Sequence, residues 1–557
     1  MTWSGAAEFS AAKVYVAGGK LTLATGSSLS GNGLISLSNA STLVLNGTFG
    51  QSGGQLTADA STIKTGGNFS KTGGTLTSST ATLDLSNNVI LSSDSALSFK
   101  ALTLNNKVLT LGGQAGSFAL SDELTLNNAN GRIVQDSTSL KLNGGLSVDS
   151  GGVLRLTKSL DTGTAKIKLN GGLLAIDSDI TINSSIEHLA ASTIEIKETK
   201  TLNYEGMTLK LGASVLSIKG GGSFTNTNPI ELDNAASQLK LSGISANYVR
   251  TSADSLGLIV ETSSSVNEMV VGHLIPVSIS ANQNLSGIIE VFSNGNLQLN
   301  NSGTLAANVT MKGDAFGNET AGGKLEAKES LTFSGTLLQS ADHNGIELII
   351  ASGKTLSYSG SKFGIGNHEF KLSGGGTLAN TNDLELDNAG SKLTLSKSTK
   401  ISRLSTSGSG ASRVLTITDS EVDFTGNIVE NLLLSGNLSV TSDTAIALGN
   451  LTADAVLTLS SNMDVSSAEL TLSDSADLSL GAGNITFRVT NPVTVDNTQK
   501  LKNGGGSFEF VGGITLKPGS ELVGQGQTIS GNVSLNGGKL SIAQDTIFAD
   551  NLAISAG

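Results

Sequence analysis

The stretch GGSFTNTNPIELDNAASQLKLS at residues 221–242 returns almost intact as GGTLANTNDLELDNAGSKLTLS at residues 375–396, a shift of 154 positions (375 − 221). The same frame is recognisable at residues 116–134 (GSFALSDELTLNNANGRIV), 506–522 (GSFEFVGGITLKPGSEL) and 33–45 (GLISLSNASTLVL). A finer repeat lies inside it. FGQSGGQLTADASTI from Phe49 aligns with FSKTGGTLTSSTATL from Phe69, LTLNN occurs at Leu102 and Leu124, and KLNGG at Lys141 and Lys168. The steps of 20 (69 − 49), 22 (124 − 102) and 27 (168 − 141) residues are those of chains that stack one small supersecondary unit on the next.

Within a unit apolar residues alternate with polar ones, as in Leu21-Thr22-Leu23, Leu124-Thr125-Leu126, Ile230-Glu231-Leu232, Leu393-Thr394-Leu395 and Leu470-Thr471-Leu472. A period of two puts the leucines on one face of a strand and the Thr or Glu on the other. Clusters such as SGNG, LNGG and KGGGS separate the pieces and supply the backbone freedom that corners need. In the repeated phrase, strand-like pieces begin near Ser223, Ile230 and Gln238. Three such pieces close one triangular turn, each pairing with its counterpart one coil along.

The expectation is an all-β parallel β-helix (β-solenoid) with coils of roughly 20–27 residues, continuous over residues 1–557, with a less regular stretch at 247–300. Helix is disfavoured, because no stretch keeps apolar residues at helical spacing for more than about two turns. The four prolines, Pro229, Pro276, Pro492 and Pro518, suit a chain whose N–H groups are needed in ladders. Coils of about 22 residues stacked at about 4.8 Å would make a rod about 120 Å long. An aromatic content of 4% fits a narrow core of aliphatic residues.

The phrase reads as a structural unit. Gly222 and Gly376 are expected to turn a corner, Phe224 and Leu378 to fill one place in the core, and Asn234 and Asn388 to stack at a second corner, bonded along the axis.

Net charge is −12, with no Lys or Arg block, so attachment to nucleic acid or an anionic membrane is not expected. The absence of cysteine excludes disulfides and thiolate metal sites. No run of eighteen apolar residues is present, so no membrane insertion is expected. The first residues, MTWSGAAEFSAAKVYVAGG, do not read as a signal peptide, and the last, NLAISAG, stop in mid-pattern, as in a piece of a longer chain.

Catalytic signatures are sparse. His188, His273, His343 and His368 lie far apart and receive no role. ASGKT at residues 351–355 lacks the leading glycine of a phosphate-binding loop, where Leu348 stands instead. The best constellation is Asp383, Glu385 and Asp387 in NDLELDN, three carboxylates expected on one outer face about 7 Å apart. They are weak metal candidates for Ca²⁺, or could grip sugar hydroxyls or act as an acid/base pair. A solvated face is the plainer reading, since the sister copy carries Pro229, Glu231 and Asp233. The Asp pairs, Gly-His-Gly and Arg-x-Lys groups of β-helical polysaccharide enzymes do not occur, and outward Thr-x-Thr pairs, as in Thr416-Ile417-Thr418, are too few for an ice-binding ladder. Asn-x-Ser/Thr triplets read as corners.

Runs such as GGNFSKTGGTLTSSTATLDLSNN and GSKLTLSKSTKISRL resemble the β-solenoid stalks of large bacterial surface proteins: autotransporter passengers, filamentous haemagglutinin-type adhesins and giant exported repeat proteins. The resemblance implies an extracellular, cell-surface structural rod, fibre or adhesin segment without enzymatic activity or cofactor. Its expected partners are copies of itself end to end or further repeats of the same chain, with cell-surface glycans or proteins as ligands. The alternative is a polysaccharide-binding or polysaccharide-cleaving β-helix, for which the stretch 247–300, with Tyr248, would supply the groove; an ice-binding solenoid is a lesser one.

Overall fold

Leucine at every second position gives each short segment one apolar face, and glycine-rich corners let successive faces turn toward a common interior. The computed structural model describes the chain apart from residues 113–116, 129–130, 136–137, 313–322, 341–344, 389, 397–398, 403, 407–412, 419–421, 425–431, 435–437, 443–445, 454–455, 461–462, 473–476, 482–484, 526–527 and 556–557. Among the described residues there is no helix; the strands run parallel and stack as a β-solenoid of about 21 turns. The chain divides into two compact units, Met1–Met269 and Val270–Gly557. The boundary falls inside the stretch expected to be less regular, where strands such as Ser245–Thr251 and Asn284–Val291 are longer than the four-residue strands common elsewhere.

In the first unit a coil is made of three strands, for example Ser192–Ile196, Thr201–Tyr204 and Leu209–Lys210. The next coil repeats them as Val215–Lys219, Ser223–Asn226 and Ile230–Leu232, with Ile194 beside Ile218, Leu202 beside Phe224 and Leu209 beside Ile230. Inward residues are buried and most of the alternate ones are half-buried or exposed, Glu231 being an exception. Burying each such aliphatic or aromatic side chain stabilises the unit by about 1.5–3 kcal/mol. The 20-residue repeat is in register: Phe49 lies beside Phe69 and Gln55 beside Thr75. Rings stack from coil to coil, Phe49 on Phe69 at 5.5 Å and Tyr204 on Phe224 at 6.1 Å between centroids.

The second unit follows the same plan. Ile346–Ile350, Thr355–Tyr358 and Phe363–Gly364 form one coil, and Glu369–Ser373, Thr377–Asn380 and Leu384–Leu386 the next. Coil length is more elastic than the repeats suggest. Leu522 lies beside Leu540, 18 residues on (540 − 522), and Leu297 beside Leu325, 28 on (325 − 297). The ladder fixes strand registers and leaves the number of residues between strands free to vary.

Outside, oppositely charged residues of neighbouring coils meet. Lys64 lies 3.4 Å from Asp84 and Arg155 2.6 Å from Asp177 in the first unit; Lys324 lies 2.9 Å from Glu347 and Lys502 3.0 Å from Asp477 in the second. Such exposed pairs contribute about 0–1 kcal/mol each.

Candidate functional site

The 154-residue repeat is a repeat of hydrogen bonds. The Ser237 hydroxyl donates to the Gly212 carbonyl oxygen (2.6 Å) and accepts from the Asn234 N–H (3.0 Å); Ser391 does the same with Gly366 (2.6 Å) and Asn388 (3.0 Å). Asp233 Oδ1 accepts from the Gly212 N–H at 2.8 Å, and Asp387 Oδ1 from the Gly366 N–H at 2.7 Å. One copy lies in each unit.

The duplication also reaches residues that the alternation pattern leaves unmarked. Tyr204 and Tyr358 are buried, in LNYEG and LSYSG. The Tyr204 hydroxyl accepts from the Ile186 N–H (3.0 Å) and donates to the Met207 carbonyl (2.7 Å), as Tyr358 does with Leu337 (3.2 Å) and Ser361 (2.8 Å). Burial pushes both phenols above their ordinary pKa. One coil further on, buried Asn226 donates from Nδ2 to the carbonyls of Asn228 and Tyr248, both at 2.7 Å. Its twin Asn380 donates to the Asn382 carbonyl (2.9 Å) and accepts from the Ser402 N–H (3.2 Å). The signal was present in the sequence as the tripeptide Asn-Thr-Asn in both copies.

The residues singled out from the sequence occupy definite places. Phe224 and Leu378 are buried, each beside the matching leucine of the preceding coil, Leu202 and Leu356. At the corner before them, positive φ belongs to Gly220 and Gly221, and to Gly374 and Gly375. Gly222 and Gly376 are needed for close approach instead. A Cβ on Gly222 would sit 2.5 Å from both Ile196 Cγ2 and the Lys200 carbonyl oxygen, and one on Gly376 2.6 Å from the Ala351 carbonyl oxygen. Asn234 and Asn388 close local turns, accepting from Ala236 N–H (2.9 Å) and Gly390 N–H (3.4 Å) through their Oδ1 atoms. The axial bonds expected of them are made by Asn226 and Asn380.

The three carboxylates differ in exposure: Asp383 is half-buried, Glu385 buried and Asp387 exposed. Leu384 and Leu386 are buried as expected, but Glu385 between them is only 7% exposed and pairs with Lys362 at 2.5 Å. Asp387 is engaged by the Gly366 N–H. In the sister copy Glu231, 4% exposed, lies 2.6 Å from Arg250 Nη2 and 3.8 Å from Lys210. Burial raises the Glu231 pKa, but Ser252, Arg250 and Lys210 together outweigh it and hold the carboxyl below its ordinary value. Among the described residues no three His, Asp or Glu side chains converge as a metal site.

Of the histidines, His343 lies outside the described residues. His188 faces the interior: Nδ1 lies 2.9 Å from the Leu211 carbonyl oxygen and 3.0 Å from Ser214 Oγ, while Nε2 is buried without a partner. A carbonyl can only accept, which puts the imidazole proton on Nδ1. Burial pushes the ring below its ordinary pKa, against the opposing pull of the Leu211 carbonyl. In the first unit, half-buried Tyr248 lends both backbone groups to Asn226.

No protein family matches the chain, and neither does any curated protein or solved structure.

Proposed function

We propose that the chain is a non-catalytic structural segment of an extracellular bacterial surface protein, a β-solenoid stalk, fibre or adhesin portion. The observation that carries this reading is the duplicated module. The polar side chains common to both copies, the Tyr204, Asn226, Asp233 and Ser237 set and its twin, direct the hydrogen bonds described above mainly to main-chain groups of the corners and adjacent coils. The positions that differ include the first acid of the run, Asp383 against Pro229. What duplication keeps is what holds strands together, which is the behaviour of a scaffold extended by adding coils.

Mechanically, stiffness comes from backbone ladders parallel to the long axis of the stack, and partners are further coils or further copies meeting edge to edge. Electron microscopy of the purified chain over a range of concentrations, with a viscosity assay on acidic polysaccharides, tests this. Unbranched fibres, or discrete elongated particles without polysaccharide turnover, are expected. Loss of viscosity in any polysaccharide overturns the reading in favour of a lyase or hydrolase.

A further inference from the structure

Beside Ala101–Thr103 and Leu124–Leu126 the stacking of the first unit opens. Two successive coils are joined at Lys100, whose carbonyl oxygen accepts from the Asp122 N–H (2.8 Å), and again at Lys107, whose carbonyl oxygen accepts from the Arg132 N–H (3.3 Å). One coil covers that interval in seven residues (107 − 100) and the next in ten (132 − 122). Beside these bonds lies a cleft of about 430 Å³, lined by Leu102, Thr103 and Asn106 on one wall and Thr125, Leu126 and Asn127 on the other.

Both walls are strand edges. Ala101–Thr103 is the last strand of its sheet and pairs with Thr82–Leu85; Leu124–Leu126 is the first of another and pairs with Leu146–Asp149. No pairing joins the two among the described residues, although LTLNN at Leu102 and Leu124 puts the same sequence on both. The Ala101 N–H is directed at the Ala81 carbonyl and the Leu124 N–H at the Gly145 carbonyl. Backbone groups of a strand alternate in direction, so the N–H and C=O of Leu102 and Thr125 face the cleft.

We propose that this cleft takes an extended peptide segment, inserted as an added strand between Ala101–Thr103 and Leu124–Leu126. A peptide is the ligand that presents donors and acceptors on both of its edges at strand spacing, which is what two facing edges require. The volume falls in the range of about 300–1,000 Å³ typical of ligand sites. The walls are three residues each, which sets the length of the segment held. Leu124 and Leu126 are buried and Thr125 exposed, so the inserted strand alternates apolar and polar residues in the same phase. The proposal does not depend on the stalk reading, because it rests on the backbone of one pair of coils.

The probe is acetyl-Leu-Thr-Leu-Asn-amide, titrated against the whole chain with amide exchange followed at Leu102 and Thr125. Saturable binding that slows exchange at both amides is expected. Thr125→Pro removes the cleft-facing N–H and leaves the Leu124 and Leu126 ladder bonds, so it weakens binding by at least about tenfold. A peptide N-methylated at its threonine weakens comparably on the unaltered protein, a comparison that does not rely on the variant folding. Absence of binding at millimolar peptide overturns the proposal, as does binding indifferent to both changes. Protection of the same amides by a neutral tetrasaccharide but not by the peptide also overturns it, and marks a glycan cleft.

Discussion

Asn226 grips Tyr248 by both of its backbone groups: Nδ2 donates to the Tyr248 carbonyl at 2.7 Å, and Oδ1 accepts from the Tyr248 N–H at 3.1 Å. Twenty-two residues separate them, one coil length, so the amide works as a rung between successive turns. Asn226→Ala strands those groups in a site that is 2% exposed. The expected cost is about 1–3 kcal/mol, and Asn380→Ala should behave alike in the other unit. Asn234→Ala, at an exposed turn, should cost well under about 1 kcal/mol. Native-state hydrogen exchange at Tyr248 compares Asn226→Ala with Asn234→Ala, and at Ser402 it reads Asn380→Ala; equal loss of protection at Tyr248 in the first two would refute the rung.

The two glycines of each corner have different jobs. Gly221 has φ of +84° and its Cβ would meet nothing closer than 3.5 Å, whereas Gly222 has no room for a Cβ against Ile196 and the Lys200 carbonyl. Asparagine tolerates the left-handed region, so Gly221→Asn is expected to cost less than about 1 kcal/mol. Gly222→Ala forces a backbone shift and should cost about 3 kcal/mol or more. Chemical denaturation of the two variants decides it, and the reverse order would contradict the packing described.

How much of this the sequence shows follows from the ranges involved. Strand positions are local: alternation in Ser223–Asn226, Ile230–Leu232 and Gln238–Ser242 marks them directly. Axial partners are not local, because they depend on the length of each coil. Asn226 reaches Tyr248, a position that no alternation pattern picks out, so Asn234 looked the better rung. Alternation with Leu384 and Leu386 predicts an outward Glu385, but it does not register that the group is covered and paired with Lys362 of the preceding coil. The cleft at Leu102 and Thr125 is equally invisible in sequence, since LTLNN reads the same at both places and only the strand pairing shows that the two copies do not join.

His188 makes the first unit acid-sensitive. Its pKa in the folded chain is held below the ordinary value of 6.5 by burial, with Nε2 lacking a partner. The unfolded chain therefore takes up a proton at about pH 6.5 that the folded chain still refuses. Stability from this group is full above pH 6.5 and declines as pH falls through the window between the two values, by at most about 1.4 kcal/mol per pH unit. His188→Leu should flatten that part of the pH–stability curve measured by denaturation. An unchanged slope between pH 6.5 and 5 would place the acid response elsewhere.

The acidic run ending in Asp387 gives the sharpest contrast between a ligand site and a scaffold. Asp387 accepts from Gly366 N–H at 2.7 Å, as Asp233 does from Gly212 at 2.8 Å, and Glu385 faces Lys362. A cation placed among these groups would have to displace a lysine and break a backbone bond, and among the described residues no third carboxylate converges there. Asp387→Ala is therefore expected to lower stability by at most about 1 kcal/mol, through the Gly366 N–H left without its acceptor. The loss should be the same in millimolar calcium and in chelator. Asp233→Ala should match it in the first unit, because the bond is duplicated while the neighbouring acid Asp383 is replaced there by Pro229. A melting temperature that rises with calcium in the unaltered chain, and stops rising in Asp387→Ala alone, would make the run a metal site of the second unit and end its reading as a corner device.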